Sequence, residues 1–231
     1  MLDNYNFLSN FFNENHVPVF GIADLKEYTK SLGEDQIHPF FYKVSKDLVN
    51  AVSFGCKLSY KVVDTIDDEP NPLYAFHYRR INQLLDNLEI KLTTHIEQRG
   101  YNALPIPASQ VVDFKKMTAH LSHRHIAYLA GLGWYGRNNL LVNEHYGSHL
   151  RFATILTDMP LPINEPLKND CGACKACVNA CPANAIHNSF EDFNKDDCQA
   201  KLKEFSKIPG ISHYICGICV KACKGKHFGK R

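Results

Sequence analysis

The sequence predicts an α/β or α+β domain over residues 1–160, followed by a small cysteine-held module over residues 167–231. Two observations indicate this division. Helical and strand-like patterns alternate along the first part of the chain, whereas eight of the nine cysteines lie between Cys171 and Cys223. Between the two parts, residues 160–166 contain three prolines and are predicted to be a linker.

The composition is that of a globular protein. The 231 residues are 45% hydrophobic and 22% charged, enough for one substantial core and a small module. No apolar run is long enough to span a bilayer, and the N-terminus lacks the pattern of a secretory signal, so we expect a cytoplasmic protein with no membrane partner. A net charge of +2 argues neither for nor against a polyanionic partner, and the basic tail Lys221–Arg231 is interpreted as a solvated terminus.

Helices are expected over residues 1–14 and 23–32, with Asp24 as the N-cap of the second. A strand is expected over residues 17–22 between them, and a mostly buried strand over residues 49–60. These elements form the first half of the predicted domain.

A long helix is predicted from Pro72 to Arg99, with Asn71 as its cap and Gly100 at its end. Apolar residues recur at helical spacing and predict one buried stripe. The stripe comprises Leu73, Phe76, Ile81, Leu84, Leu85, Leu88, Leu92 and Ile96.

The segment after this helix mixes turns and strands. Residues 103–109 are expected to be an extended loop, because each proline disfavours helical conformation in the residue before it. A helix over residues 118–130 leads into a glycine-rich turn at residues 131–136, and strands follow at 140–143 and 152–157.

The cysteines have the spacing of a bacterial two-cluster ferredoxin. The first run is Cys171-x-x-Cys174-x-x-Cys177-x-x-x-Cys181-Pro182, and the second group is Cys198, Cys216, Cys219 and Cys223. In this pattern the fourth cysteine of each run ligates the other cluster. We therefore expect Cys171, Cys174, Cys177 and Cys223 to hold one [4Fe–4S] cluster, and Cys181, Cys198, Cys216 and Cys219 to hold a second. Zinc is the alternative, but this spacing suits two tetrahedral zinc sites poorly.

The glycine-rich turn is not a dinucleotide fingerprint, because it follows a helix and lacks the G-x-G-x-x-G spacing. Its glycines could let the backbone approach a bulky ligand, or could make a tightly packed connection. The residues alone favour the packed connection.

Several segments together resemble the epoxyqueuosine reductase family, which shares its core with reductive dehalogenases. They are Ala130-Gly-Leu-Gly-Trp-Tyr-Gly-Arg-Asn138, Tyr146-Gly-Ser148, Ile155-Leu-Thr-Asp158 and the cysteine run, in the family's order. The resemblance covers about residues 70–225. It implies a nitroreductase-like α/β core that binds base-off cobalamin, and a C-terminal ferredoxin-like module with two [4Fe–4S] clusters.

The resemblance also implies which residues bind cobalamin. They are Gly131, Gly133, Trp134, Tyr135, Gly136, Asn138 and Asn139 in the turn, with Tyr74 and Tyr78 on the long helix. The alternative for the tyrosines, and for the neighbouring His77, is an ordinary amphipathic helix. Cys56 is interpreted as a buried apolar residue, with a thiol near cobalt as the alternative.

Two features depart from the family pattern. Met117 occupies the position of the family's proposed proton donor, an aspartate, and methionine cannot donate a proton. Asp113 and His120 are the candidate substitutes; His120 is expected to share a helical face with His123, and a surface position is its alternative. The family's C-terminal extension that contacts tRNA does not follow Cys223 here.

Two functions are therefore carried forward. The first is a reductase that takes electrons from a low-potential donor such as ferredoxin or flavodoxin, and passes them through two clusters to cobalamin. Its substrate would be an electrophile, with the modified base of tRNA as one candidate. The second is an electron-transfer protein that reduces a partner's corrinoid or other cofactor. A flavin in the same core ranks last, because no residue singles it out.

Overall fold

The computed structural model describes residues 1–33, 37–113 and 118–225. The chain packs as two compact units, each built from three segments. The first comprises Met1–Cys56, Asn82–Leu132 and Arg151–Leu167, and the second comprises Lys57–Ile81, Gly133–Leu150 and Lys168–Arg231. The sequence predicted two contiguous domains instead, over residues 1–160 and 167–231.

A four-stranded sheet lies in the first unit. Its strands are β1 (Val19–Asp24), β2 (Asn50–Lys57), β3 (Ala103–Ile106) and β6 (Leu150–Thr157), in the order β1-β2-β6-β3. β1 runs antiparallel to β2, and β3 runs antiparallel to β6. Every residue of β2 except Lys57 is buried, which confirms the buried strand predicted here.

Short helices accompany the sheet: α1 (Leu2–Glu14), α2 (Leu25–Ser31), α3 (Pro39–Val44) and α6 (His123–Leu129). The Asp24 carboxylate accepts a hydrogen bond from the backbone N–H of Lys26 at 2.7 Å, so the predicted N-cap of α2 is confirmed. The ring of Phe12 on α1 packs 4.7 Å from that of Phe20 and 5.0 Å from that of Phe54, centroid to centroid. These aromatic contacts bury one face of the sheet's first two strands.

The long helix α5 spans Pro72–Gln98, and the Asn71 side chain accepts from the Tyr74 N–H at 2.9 Å, as predicted. The apolar stripe is only partly correct. Its buried members include Leu85, Leu88, Leu92 and Ile96, whereas Leu73, Phe76 and Leu84 are 53%, 49% and 44% exposed. Successive residues of a helix point about 100° apart, so adjacent Leu84 and Leu85 cannot both face the core.

Residues 103–109 are not purely a loop, because β3 forms within them. Pro105 pairs opposite Ile155 of β6, and β3 is the last strand of the sheet. An edge strand tolerates proline because the side without a neighbour needs no N–H donor. The prolines therefore mark an edge strand, and the loop prediction was wrong at this point.

The helix predicted over residues 118–130 begins five residues later, as α6. The Ser122 hydroxyl accepts from the His125 N–H at 3.2 Å and caps its start. Thr118 instead forms an isolated β-bridge with Asp113. His120 therefore precedes the helix and does not share a helical face with His123, contrary to prediction. Met117 lies outside the described residues.

The proline-rich segment 160–166 forms neither helix nor strand, but it is not a free linker. Its Asn164 accepts from the Ile22 N–H through Oδ1 at 2.8 Å, and its N–H donates to the Ile22 carbonyl at 2.9 Å. The segment is thereby attached to β1 within the first unit.

The second unit contains α4 (Tyr60–Asp64), the start of α5, and three helices among the cysteines: α7 (Ala176–Ala180), α8 (Lys195–Phe205) and α9 (Ile218–Ala222). The glycine-rich turn and the strand predicted after it form a hairpin of β4 (Trp134–Tyr135) and β5 (Leu141–Val142). The core of the second unit includes Leu58, Val63, Ile66, Tyr74, Phe205, Ile211 and Ile215. Among the described helices, none is long and apolar enough to cross a membrane.

Glu89 of α5 is a buried carboxyl group, only 1% exposed. It accepts from the backbone N–H of Thr154 at 3.0 Å, and the Ile106 N–H also bonds to it. Burial raises its pKa from 4.5 to about 9, and the nearby Asp86 carboxylate adds to the rise. Glu89 is therefore neutral in the folded protein near pH 7.

We expect Glu89→Gln to flatten the dependence of stability on pH. In the wild type, Glu89 is protonated when folded but ionises near pH 4.5 when unfolded, so its contribution is complete below that pH and is lost as pH rises towards 9. The slope is at most about 1.4 kcal/mol per pH unit. Anaerobic thermal unfolding at pH 6.5 and 9 measures it. Equal pH slopes in the two proteins would show that Glu89 ionises normally.

Candidate iron–sulfur centre

The eight clustered cysteines all lie in the second unit, on or beside three short helices. Cys177, Cys198 and Cys219 lie within α7, α8 and α9, and Cys181 and Cys223 follow the ends of α7 and α9. Short helices joined by tight loops thus bring distant cysteines into one region.

One group of four thiols draws on both cysteine runs. The Cys177 thiol interacts electrostatically with those of Cys171, Cys174 and Cys223, and burial together with these neighbours raises its pKa to about 11. The pKa of Cys223 is also raised by burial, and then by Cys171 and Cys174. These are the four thiols that the spacing predicts for the first cluster, and their binding to iron stays a prediction.

The second group is arranged in the same way. Burial raises the pKa of Cys216 to about 11, and the thiols of Cys198 and Cys181 add to the rise. Cys219 interacts with Cys216, Cys198, Cys181 and, in addition, Cys177 of the first group, and burial raises its pKa further. Two sets of four soft sulfur donors suit two iron–sulfur clusters. Within the described ranges, no three His, Cys, Asp or Glu side chains converge as a site for a single metal ion.

The segment Gly147–His149 contacts Cys223 closely. Ser148 donates its backbone N–H to the Cys223 carbonyl at 3.2 Å, and His149 Nδ1 lies 3.1 Å from the same oxygen. Because a carbonyl only accepts, Nδ1 must carry the hydrogen. Gly147 has φ +57, and a Cβ at this position would collide with the Cys223 carbonyl. The loop thus requires a glycine beside the last cysteine.

Arg137 anchors the loop between the first two cysteines. Its two terminal nitrogens donate to the carbonyl oxygens of Cys174 and Gly172 at 2.9 and 2.8 Å. Its Nε, and Nε1 of Trp134, are buried and have no hydrogen-bond partner among the described residues. Two such N–H groups in one turn provide donors for a bound group.

The other predicted turn residues have contacts inside the protein. A Cβ on Gly131 would lie 2.6 Å from the Glu165 carbonyl oxygen, and Cβ atoms on Gly133 and Gly136 would collide with Val142. Tyr135 stacks on Phe190 with ring centroids 4.7 Å apart. These contacts support the packed-connection interpretation of the glycines.

The two asparagines of the turn also serve the local structure. Asn138 is buried and donates to the Ser148 hydroxyl at 3.0 Å. Asn139 has φ +58, a conformation that asparagine tolerates better than most residues. Neither observation tests the role that the resemblance implies for them.

The predicted residues of the long helix are likewise engaged. Tyr74 is buried in the core of the second unit, and Tyr78 packs against the same core. His77 Nε2 accepts from the Ser59 N–H at 2.9 Å, and burial lowers its pKa. These contacts are those of an amphipathic helix.

The candidate acids lie in the first unit. The ring of His120 is 4.7 Å from that of Phe40 and 5.3 Å from that of His38, and burial followed by the His38 charge lowers its pKa. A lowered pKa makes the His120 imidazole a weaker base than an ordinary histidine. Asp113 is tied to Thr118 through its backbone, with N–O distances of 3.1 and 3.2 Å.

His123 is half-buried with both ring nitrogens occupied. Nε2 donates to the Pro107 carbonyl at 3.0 Å, so Nδ1 accepts from the Thr154 hydroxyl at 2.8 Å. Burial lowers its pKa to about 4. The thiol of Cys56 is also buried, which raises its pKa to about 11 and agrees with its interpretation as an apolar residue.

Sequence reasoning assigned no role to Arg137, Ser148 or His149. Arg137 and Ser148 stand within the segments that carry the resemblance, yet nothing in the spacing shows that their partners are Cys174 and Cys223. These pairings join residues 37 and 75 positions apart, which only the fold brings together.

Comparison with known proteins places the chain in a class. A model of the 4Fe-4S binding domain family matches residues 167–187. Epoxyqueuosine reductase of Aliivibrio fischeri is 32% identical over 172 residues, which cover 67% of this chain and 43% of the relative. The enzyme of Vibrio cholerae is 37% identical over 177 residues, 69% of this chain and 44% of the relative. The chain spans less than half the length of these curated relatives.

Solved structures share the fold. Epoxyqueuosine reductase from Streptococcus thermophilus has a TM-score of 0.63 at 15% identity, over 95% of this chain and 65% of that one. An epoxyqueuosine reductase bound to a tRNA-Tyr stem loop has a TM-score of 0.56 at 19% identity, over 87% and 58%. A reductive dehalogenase described in terms of B12-dependent dehalogenation has a TM-score of 0.64 at 18% identity, over 90% and 30%. At these identities the likeness concerns the fold alone.

The chain is therefore a mixed α/β iron–sulfur protein with a ferredoxin-like 4Fe-4S module. Within that class it is epoxyqueuosine reductase-like, a homologue of these enzymes over about two thirds of its own length.

We expect Gly147→Ala to reduce iron incorporation several-fold, because the new Cβ would displace the Cys223 carbonyl. Gly100→Ala is the matched control: Gly100 also has positive φ, at +84, but nothing lies within 4 Å of the added Cβ. The control should cost only backbone strain of about 1 kcal/mol. Iron and sulfide analysis of the two purified variants provides the measurement. Equal iron content in both would contradict the importance of this contact.

Proposed function

We propose that the chain is an iron–sulfur reductase that carries two [4Fe–4S] clusters and base-off cobalamin in a nitroreductase-like core. The observation that carries this proposal is that thiols from both cysteine runs interact electrostatically, mainly as two sets of four, with Cys219 also interacting with Cys177 of the other set. Shared ferredoxin-type spacing and homology to epoxyqueuosine reductases support it.

The residues would have the following roles. Cys171, Cys174, Cys177 and Cys223 would hold one cluster, and Cys181, Cys198, Cys216 and Cys219 the other. The clusters would supply single-electron transfer, and cobalamin would supply a strongly reducing, nucleophilic metal centre. Arg137 fixes the loop at Cys174, while its Nε and the Trp134 Nε1 offer hydrogen bonds to a bound group.

The substrate would be an electrophile that accepts electrons and a proton. The relatives' names make the epoxide of epoxyqueuosine in tRNA the leading candidate, and one structural neighbour is bound to a tRNA stem loop. Asp113 and His120 remain the proposed proton donors, because His123 has both nitrogens occupied. Electrons would come from a low-potential donor such as ferredoxin or flavodoxin.

A second function, electron transfer to the cofactor of a partner, is favoured by a different observation. Internal packing accounts for the turn glycines, and His120 has a lowered pKa. A protein that only relays electrons needs neither a corrin site nor an acid. The two functions differ in whether cobalamin binds to this chain.

Anaerobic addition of cobalamin to the protein with both clusters assembled distinguishes them. We expect stoichiometric binding and a base-off Co(II) signal by electron paramagnetic resonance. Trp134→Phe removes the Nε1 donor while keeping most of the ring, and should weaken binding several-fold. Absence of binding to the wild-type protein with full clusters would reject the cobalamin reductase and leave the electron carrier.

A further inference from the structure

The loop that carries the first two cysteines lies at the surface of the second unit. Residues 168–170 and 172–176 are exposed, Cys174 among them. The other seven cysteines of the two runs are buried or half-buried. The candidate iron–sulfur centre is therefore most accessible from solvent at residues 168–176, which are called the first cysteine loop below.

Hydrogen bonds hold the first cysteine loop in one shape. The Arg137 guanidinium donates to the carbonyls of Cys174 and Gly172 at 2.9 and 2.8 Å. The Asp170 carboxylate accepts from the Gly172 N–H at 2.6 Å, and the Cys174 N–H donates to the Cys171 carbonyl at 3.0 Å. A surface whose backbone is already ordered loses little conformational entropy when a partner binds to it.

The charges on and beside this loop are mostly positive. Lys168 and Lys175 are exposed, and the Arg137 guanidinium bonds to the carbonyls of the loop, whereas Asp170 supplies its one negative charge. The segment 191–197, which runs into α8, has the opposite sign, with four exposed carboxylates and one exposed lysine. The surface charge therefore differs in sign between the segments next to the two groups of cysteines.

We propose that the first cysteine loop is the docking surface for an acidic protein that carries one electron at low potential. The proposal rests on the two-cluster function above and assigns the surface at which its electron donor binds. The reduced carrier would lose one electron, and the cluster predicted at Cys171, Cys174, Cys177 and Cys223 would gain it, with no bond formed or broken. The positive charges would attract the acidic carrier and orient it towards Cys174.

The size and charge of the loop suit a brief electron-transfer encounter. Transient redox complexes have small interfaces, below about 1,200 Å², and complementary charge raises their association rates. A nucleic-acid surface usually has a longer basic stripe, whereas this loop has a carboxylate between its two lysines. The exposed Cys174 also favours an electron carrier, because electron transfer becomes slower as the distance between donor and acceptor increases.

Lys175→Glu tests the proposal in the full chain with both clusters assembled. Stopped-flow measurements give the rate of cluster reduction by flavodoxin hydroquinone, an acidic carrier, and by photoreduced 5-deazariboflavin, which is small and uncharged. The ratio of the first rate to the second reports docking, because any change in the cluster itself affects both. We expect this ratio to fall roughly tenfold at about 0.01 M ionic strength, where the Debye length is about 30 Å. The difference should disappear near about 1 M, where the Debye length is about 3 Å.

Matched variants separate the local charge from the net charge. Lys168→Glu reverses the lysine that precedes the cysteine run and should lower the same ratio. Lys175→Gln removes one charge without reversing it, so its effect should be smaller than that of Lys175→Glu. Lys207→Glu is the control, because Lys207 is also exposed in the second unit but follows α8. It makes the same change in net charge and should alter the ratio less than about twofold.

Four outcomes would overturn the proposal. An unchanged ratio in Lys168→Glu and Lys175→Glu would do so, as would an equal fall in Lys207→Glu. A higher ratio in the charge-reversed variants would indicate a basic partner instead. An unchanged ratio together with weaker binding of a tRNA stem loop would make the loop an RNA surface.

Two further results separate this proposal from the function on which it rests. If Lys175→Glu loses iron, the ratio measured for Lys168→Glu, which leaves the cysteine run intact, decides the question in the same way. A wild-type protein that is reduced by deazariboflavin but not by flavodoxin would overturn the docking surface alone. A wild-type protein without two clusters would refute the proposed function.

Discussion

The grouping of mostly half-buried thiols is the constraint on which the second unit depends. Cys177, Cys216 and Cys219 lie close to other thiols, and burial opposes their ionisation. Several sulfur atoms can carry negative charge together in such a place only when a metal centre balances it. The glycine at position 147 allows close approach to the Cys223 carbonyl, and Arg137 donates to the carbonyls of Cys174 and Gly172.

The close approach of the Gly147 backbone to Cys223 connects the clustered cysteines with the glycine-rich turn. The spacing predicts that Cys223 shares a cluster with three cysteines that lie about fifty residues earlier in the chain. Its carbonyl accepts from the Ser148 N–H and from His149 Nδ1, and the Asn138 side-chain amide donates to the Ser148 hydroxyl. One hydrogen-bonded path therefore runs from the turn to a cluster ligand.

Local signals made much of the fold predictable. Asp24 caps α2 because a short carboxylate before an apolar helix is a strong start signal, and Asn71 begins α5 for a similar reason. The cysteine spacing predicts two ligand groups, because a [4Fe–4S] cluster can be bound only by cysteines at particular separations, and this stays a prediction. For the two helix caps, a few neighbouring residues decide the outcome.

Other features depended on tertiary contacts and capping residues whose effect the sequence pattern does not show. Ser122 caps α6 and so excludes His120 from the helix, while Pro105 lies in an edge strand that exists only because β6 is its neighbour. Leu73 and Phe76 match helical spacing yet are exposed, since the face that α5 buries is set by tertiary packing. The contacts of Arg137 and Ser148 join distant segments and were not predictable from spacing.

The most direct test of the account is the iron and acid-labile sulfide content of anaerobically purified protein, with Mössbauer spectroscopy of the iron. Two [4Fe–4S] clusters contain eight irons and eight sulfides, so we predict eight of each per chain, all in [4Fe–4S] form. Each group of four cysteines would hold four irons and four sulfides. Zinc without sulfide, or a single cluster in a protein whose eight cysteines are all intact, would contradict the central claim.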